Sequence, residues 1–232
     1  MKTVILCGGK GSRMGAKTEK IPKPLVEIGD KPVLWHIMKI YASQGFNEFV
    51  LCLGYNGEKI KAYFGENNSE KWSIEFVDTG LESSKSERIQ KIKNFVDGKN
   101  FFLAYGDDLC NIDLKKLLGL HEKSKRVATI TAVRVESPFG LVESNEKGEV
   151  VRFKEKPKLN HWMNGGYMVF NKKIFGYLGE GELEKEVFEK LVKEKQLMAF
   201  RHEGEWKTMN TLKDNIELNE LWENNKAFWK VW

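Results

Sequence analysis

"ILCGGKGSRMGAKTEKIPKPL", residues 5–25, breaks an apolar run into glycines, then an arginine, then a lysine held between two prolines. The run predicts a β-strand that ends at Cys7. Gly8, Gly9 and Gly11 permit positive φ and let backbone N–H groups approach an anion. Arg13 and Lys23 bracket that loop, and Pro22 and Pro24 stiffen the backbone around Lys23. Bare backbone beside two fixed positive charges suits a polyphosphate. Two familiar phosphate loops do not fit. A Walker A loop needs Gly-x-x-x-x-Gly-Lys-Ser/Thr, but Gly9-Lys10 is followed by Gly11 and preceded, at the required spacing, by Val4. A dinucleotide fingerprint on Gly9 and Gly11 needs a third glycine where Met14 stands.

Outward from this segment, short β-type runs alternate with amphipathic stretches. "TVILC", "EFVLCLG", "IEFVDTG" and "FFLAYGDD" are separated by segments with helical spacing, a pattern of βαβ units around a mostly parallel sheet. The expected fold class is α/β: a Rossmann-like, mixed, mostly parallel sheet flanked by helices, followed by a smaller β-hairpin and α+β part. One helix is predicted over Pro32 to Ser43, with Leu34, Ile37, Met38 and Tyr41 on one face. A second is predicted over Glu87 to Val96. "LVESNEKGEVVRFKEKP" pairs two β-like runs across Lys147-Gly148 and predicts a hairpin that joins the sheet. Leu183, Val187, Phe188, Leu191 and Val192 predict the buried face of a late helix, and Thr211 with Asp214 a capping box for the last one.

The chain has 232 residues, 41% of them hydrophobic and 12% aromatic, enough to bury a core; one domain spanning 1–232 is expected. No run approaches the ~20 apolar residues of a membrane span, and "MKTVILCGGKG" is too briefly apolar for a secretory signal. A soluble, cytoplasmic protein with no membrane partner is expected. Cys7, Cys52 and Cys110 are far apart and embedded in apolar runs, which predicts reduced, buried thiols. The net charge of +5 is spread over interleaved Lys and Glu, a solvated surface and no nucleic-acid footprint. His36, His121, His161 and His202 show no metal-ligand spacing and predict structural or surface roles. Trp222, Trp229 and Trp232 predict packing near the C-terminus.

The ordered set "GGKGSR", "PKP", "VDTG", "YGDD", "FKEKP", "NGGYMVFN" and "LWENNKAFWKVW" resembles the sugar nucleotidyltransferases over nearly the whole chain, and among them most the cytidylyltransferases acting on glucose 1-phosphate. The resemblance implies the nucleotide-diphospho-sugar transferase fold, with residues 1–135 as the nucleotide-binding half and 136–232 as the sugar-phosphate-binding half. It implies a reaction in which a sugar 1-phosphate attacks the α-phosphorus of a nucleoside triphosphate, with CTP and glucose 1-phosphate as the leading pair. Such transfers ask mainly for alignment and for positive charge where negative charge builds. No general base is needed, since the attacking phosphate is already an anion.

By the same resemblance Arg13 would clamp the β- and γ-phosphates and Lys23 the α-phosphate. Leu6, Gly8, Gly9, Gly11, Ser12, Thr79, Ser83, Arg88 and Gly106 would bind the nucleotide. Tyr105, Glu155, Lys156, Asn164 and Gly165 would bind the sugar phosphate, Lys156 neutralising the attacking group. Asp107 and Asn210 would hold Mg²⁺ as cofactor. Asp108 is an extra acid, read as a helix cap or an outer group of that site. Asn210 stands where the cytidylyltransferases have Asp; the bland alternative is that it caps the helix beginning near Thr211. In the base segment "DTGLESSKSER" only Thr79, Gly80, Ser83 and Arg88 match, while Ser86 and Glu87 replace paired glycines. That departure, with Asn210, keeps UTP, dTTP or GTP open as alternatives to CTP, along with other phosphorylated acceptors; Asn210 alone leaves a catalytically idle binding protein open, and a homo-oligomer stays open as well.

Overall fold

Runs of alternating Val, Ile, Leu and Phe bury opposite faces at successive residues, so each strand needs cover on both sides. The computed structural model, which describes residues 1–15, 21–66, 69–179 and 181–232, supplies that cover with helices. In chain order the strands are β1 (Thr3–Leu6), β2 (Glu27–Ile28), β3 (Lys31–Pro32), β4 (Glu48–Leu53), β5 (Ser73–Asp78), β6 (Asn100–Tyr105), β7 (Asp108–Cys110), β8 (Ala128–Val133), β9 (Leu141–Ser144), β10 (Val150–Lys154), β11 (Met163–Asn171), β12 (Leu197–His202) and β13 (Trp206–Thr208). The α-helices are α1 (Val33–Ala42), α2 (Gly57–Glu66), α3 (Lys85–Lys91), α4 (Leu114–Ser124), α5 (Phe188–Lys193) and α6 (Leu212–Glu223).

Seven strands form one sheet in the order β12-β8-β11-β6-β1-β4-β5. All neighbours run parallel except β11, which is antiparallel to both β6 and β8. The mixed, mostly parallel sheet is the one expected, and it spans both halves of the chain. Ile5, Leu51, Phe102 and Tyr167 face one side, packed with Leu34, Ile37 and Tyr41 of α1. Val4, Val50, Leu103 and Met168 face the other, packed with Ile89 of α3 and with Leu183, Val187, Phe188 and Leu191.

Several local expectations need correction. The hairpin of β9 and β10 forms, but as a separate two-stranded sheet. Its residues are exposed on both faces, Val142, Val150 and Phe153 among them, so it makes none of the ladder contacts that would join it to the centre. The second helix starts at Lys85, because Ser84 and Glu87 close a capping box. It gives way to a 3₁₀ turn at Lys93–Phe95. The late helix opens with a π turn over Leu183–Val187; the wider turn rotates the following residues, and Val192 ends 60% exposed, off the buried face. The capping box of Thr211 and Asp214 opens α6 as expected.

The C-terminal tryptophans do pack. Trp229 is fully buried and lies parallel to Trp222, and both rings meet His36 edge-on. The Trp229 indole N–H donates to His36 Nδ1 at 3.3 Å, so Nε2 carries the proton and donates to the Ile28 carbonyl at 2.9 Å. Burial lowers the His36 pKa to about 4 and keeps the ring neutral. The three cysteines are buried free thiols, as expected.

Candidate active site

Parallel strands that end level gather their following loops at one edge. Leu6 is in register with Cys52 on one side and Tyr105 on the other, so the glycine loop after β1 lies beside Gly106 and Asp107 after β6. A cleft of about 520 Å³ opens there, lined by Leu6, Gly8, Gly9, Gly11, Arg13 and Lys23 from the first loop, by Ser83 and Arg88 from the base segment, and by Tyr105, Gly106, Asp107, Asn164 and Asn210.

Gly11 adopts φ 64°, and a Cβ there would stand 2.8 Å from the Lys23 Cβ. Only glycine lets the loop pass so close to the lysine. Lys23 itself opens a buried 3₁₀ turn with Pro22 as its N-cap. Its ammonium bonds Asp107 Oδ2 at 2.5 Å and Asn210 Oδ1 at 3.0 Å. Asp107 and Asn210, 84 and 187 positions from Lys23 in sequence, thus meet on its ammonium. Pairing of β13 with β7 brings this about: Thr208 stands opposite Asp108, and the Met209 amide donates to the Asp107 carbonyl at 2.8 Å. The cap of α6 is Thr211, whose hydroxyl accepts from the Asp214 amide. The capping alternative for Asn210 is therefore overturned, and its amide oxygen points to Lys23.

Asp108 is not a helix cap. It begins β7 and is buried. Burial, reinforced by the neighbouring Asp107 charge, raises its pKa well above the ordinary carboxylate value.

Arg88 is buried behind the glycine loop. Nη1 donates to the carbonyls of Leu53 (3.1 Å) and Gly80 (2.8 Å) and to Thr79 Oγ1 (2.7 Å); Nη2 donates to the carbonyls of Gly8 (3.3 Å) and Leu81 (3.0 Å). One planar guanidinium ties the glycine loop to the base segment. Thr79 lies beneath this junction and does not line the cleft.

On the opposite wall, Tyr105 donates from its hydroxyl to Glu184 Oε1 at 2.6 Å, and Asn164 Nδ2 donates to that hydroxyl at 3.4 Å. Burial raises the Tyr105 pKa, and the Glu184 charge raises it further. Burial pushes Glu184 upward too, but bonds from Lys85 and Tyr105 outweigh it and leave the carboxyl below its ordinary value. Trp206 Nε1 donates to the Gly165 carbonyl at 2.8 Å, which fixes Gly165 just behind the wall. Glu155 and Lys156 follow the exposed hairpin and stay outside the cleft, Lys156 at φ 42°. Ser12 is likewise exposed and off the lining.

Sequence reasoning missed Lys85, Glu182, Trp206 and Thr208, all of which line the cleft. Lys85 falls inside the base segment, and Trp206 and Thr208 immediately precede Asn210, so proximity to known motifs was a usable signal; Glu182 had none.

A glycine loop, a lysine and an aspartate at the carboxyl edge of such a sheet define a nucleotidyl transferase, and the chain belongs to that family: residues 2–225 match the nucleotidyl transferase family model. Among curated relatives it is 41% identical to "Probable glucose-1-phosphate cytidylyltransferase" of Bacillus subtilis and 38% identical to glucose-1-phosphate cytidylyltransferase of Salmonella typhi, with 100% of both chains covered in each case. The fold is also that of HddC from Yersinia pseudotuberculosis, with a TM-score of 0.75 at 22% identity over 95% of this chain and 99% of that one.

Proposed function

We propose that the protein joins CTP to glucose 1-phosphate, releasing CDP-glucose and pyrophosphate, with Mg²⁺ as cofactor. The observation that carries this is the convergence of Lys23, Asp107 and Asn210 beneath the glycine loop. The full-length likeness to proteins named glucose-1-phosphate cytidylyltransferase supports the choice of substrates. A phosphate oxygen of glucose 1-phosphate attacks the α-phosphorus; the new P–O bond forms as the bond to the bridging oxygen breaks, and that oxygen leaves with pyrophosphate.

Arg13 stands exposed at the mouth of the cleft, suited to a bidentate grip on the outer phosphates. The loop amides line the α-phosphate side, and Lys23 adds charge there once substrate competes for it. Asp107 Oδ2 and Asn210 Oδ1 already converge on one cation, the Lys23 ammonium, and that oxygen pair fits Mg²⁺, which binds through few protein ligands and fills the rest of its shell with water and phosphate. Bound Mg²⁺ would supply positive charge on the triphosphate and the leaving pyrophosphate.

A second reading keeps the chemistry and changes the base. Ser86 and Glu87 replace paired glycines and lie in the first turn of α3, so the backbone of this part of the base segment is helical and fixed. The test is pyrophosphate release with Mg²⁺ across CTP, UTP, dTTP, GTP and ATP against a panel of sugar 1-phosphates. Turnover led by CTP with glucose 1-phosphate is expected, falling by at least ~100-fold in Arg13→Ala and in Asp107→Ala. Wild-type rates in either variant would refute the mechanism, and turnover led by another nucleotide would establish the second reading.

A further inference from the structure

Lys85 opens α3, the helix that replaces flexible glycines in the base segment. Its neighbour Ser86 docks this helix on the far half of the chain: the hydroxyl donates to the Gly179 carbonyl at 3.0 Å and accepts from the Gly179 amide at 3.2 Å. From that anchored start Lys85, on the cleft lining, reaches the Glu184 carboxylate. On the way its ammonium lies 4.5 Å from the centre of the Tyr105 ring. Glu184 also accepts from the Tyr105 hydroxyl, which in turn accepts from Asn164. One chain of contacts thus runs from the nucleotide wall, through Lys85 and Glu184, to Tyr105 and Asn164.

Two features make this more than a surface pair. The side chains of Lys85 and Glu184 are 41% and 34% exposed, so the ion pair adds little stability. Yet Glu184 is the shared acceptor that sets the Tyr105 hydroxyl, and both Lys85 and Tyr105 line the cleft. Removing the ammonium takes the charged partner from a half-buried carboxylate that keeps only the neutral Tyr105 phenol and its own backbone amide as donors, and such a group turns toward water or takes up a proton. Either response releases Tyr105 from its present orientation.

We infer that Lys85 is a positioning residue for the sugar 1-phosphate: acting through Glu184, it fixes Tyr105 and Asn164 in the orientation that receives the acceptor and couples the base wall to the sugar subsite. The assignment rests on the nucleotidyltransferase reading above. It differs from direct contact between the ammonium and the phosphate, because a direct contact would not need Glu184.

The experiment is a double-mutant cycle on the full chain with Lys85→Met, Glu184→Gln and the pair. Steady-state KM is measured for glucose 1-phosphate and for CTP, with calorimetric titration of each ligand as a second readout. Each single variant is expected to raise KM for the sugar phosphate roughly five- to twenty-fold, with kcat and the CTP constants within about two-fold, and the pair to do no more than either single change. A merely structural role would move both substrates together. Unchanged sugar-phosphate KM in Lys85→Met, equal losses for both substrates, additive effects, or a rise in Lys85→Met alone would each overturn the assignment. A wild type that binds neither ligand overturns the functional reading and this assignment with it, whereas a wild type that turns over beside an unaffected Lys85→Met overturns only the assignment.

Discussion

Replacing Arg88 with methionine keeps the alkyl bulk in its buried slot and deletes the guanidinium that joins the glycine loop to the base segment. Its five acceptors do not suffer equally. The Leu53 carbonyl still accepts from the Thr79 amide and hydroxyl, and the Gly8 carbonyl still accepts from the Tyr55 amide. The carbonyls of Gly80 and Leu81 keep no other donor among the described residues. A buried acceptor left unpaired costs about 1–3 kcal/mol, and these two sit near solvent, which places each at the low end. Adding the loss of bonds to a charged donor, the expected destabilisation is about 2–4 kcal/mol. Urea unfolding followed by far-UV circular dichroism would read this as a lower midpoint at unchanged slope. Nucleotide affinity should fall about ten-fold in the same protein as the loop loosens. Arg88→Lys should recover less than half of the loss, because a point donor cannot serve acceptors arranged around a plane. Full stability in Arg88→Met, with nucleotide affinity still lost, would refute the reasoning and make Arg88 a direct ligand of the nucleotide.

Acid should weaken the fold before the carboxylates titrate. His36 binds its proton near pH 4 when folded and near 6.5 when unfolded, so its stabilising contribution is intact above pH 6.5 and falls away between 6.5 and 4. At pH 5 the loss from this residue is about 2 kcal/mol; His121, lowered to about 4 by burial, adds to it in the same window. A denaturation midpoint that stays flat from pH 7 to pH 5 would contradict the neutral, buried imidazoles. Gly29→Ala should destabilise by about 2–5 kcal/mol, because the residue sits at φ 63° and its Cβ would stand 2.2 Å from Trp222 Nε1. Thermal unfolding of that variant checks it, and a loss under about 1 kcal/mol would show that the tail shifts freely.

Much of the fold was legible because its signals are local. Period-two apolar runs, the glycines after Cys7, and the Thr211–Asp214 box each act over a few residues, and each appears in the structure where the sequence places it. Expectations failed where a local pattern left its tertiary outcome open. The β9–β10 run alternates well enough to be a strand pair, but nothing in it states whether a sheet edge is within reach. Val192 has the right spacing for the buried face, and only the π turn ahead of it moves it outward.

The candidate site divides along the same line. The sequence by itself determined a phosphate-suited loop with two flanking cations, an acid at the end of a buried strand, and a parallel sheet to bring such loops to one edge; these follow from backbone freedom, charge and hydrophobic period. The tertiary structure alone decided that Lys23 lies between Asp107 and Asn210, that Arg88 secures the glycine loop from behind, and that Lys85 reaches Glu184. Those contacts join residues brought together by strand order and register, and no pattern within a few residues carries that information.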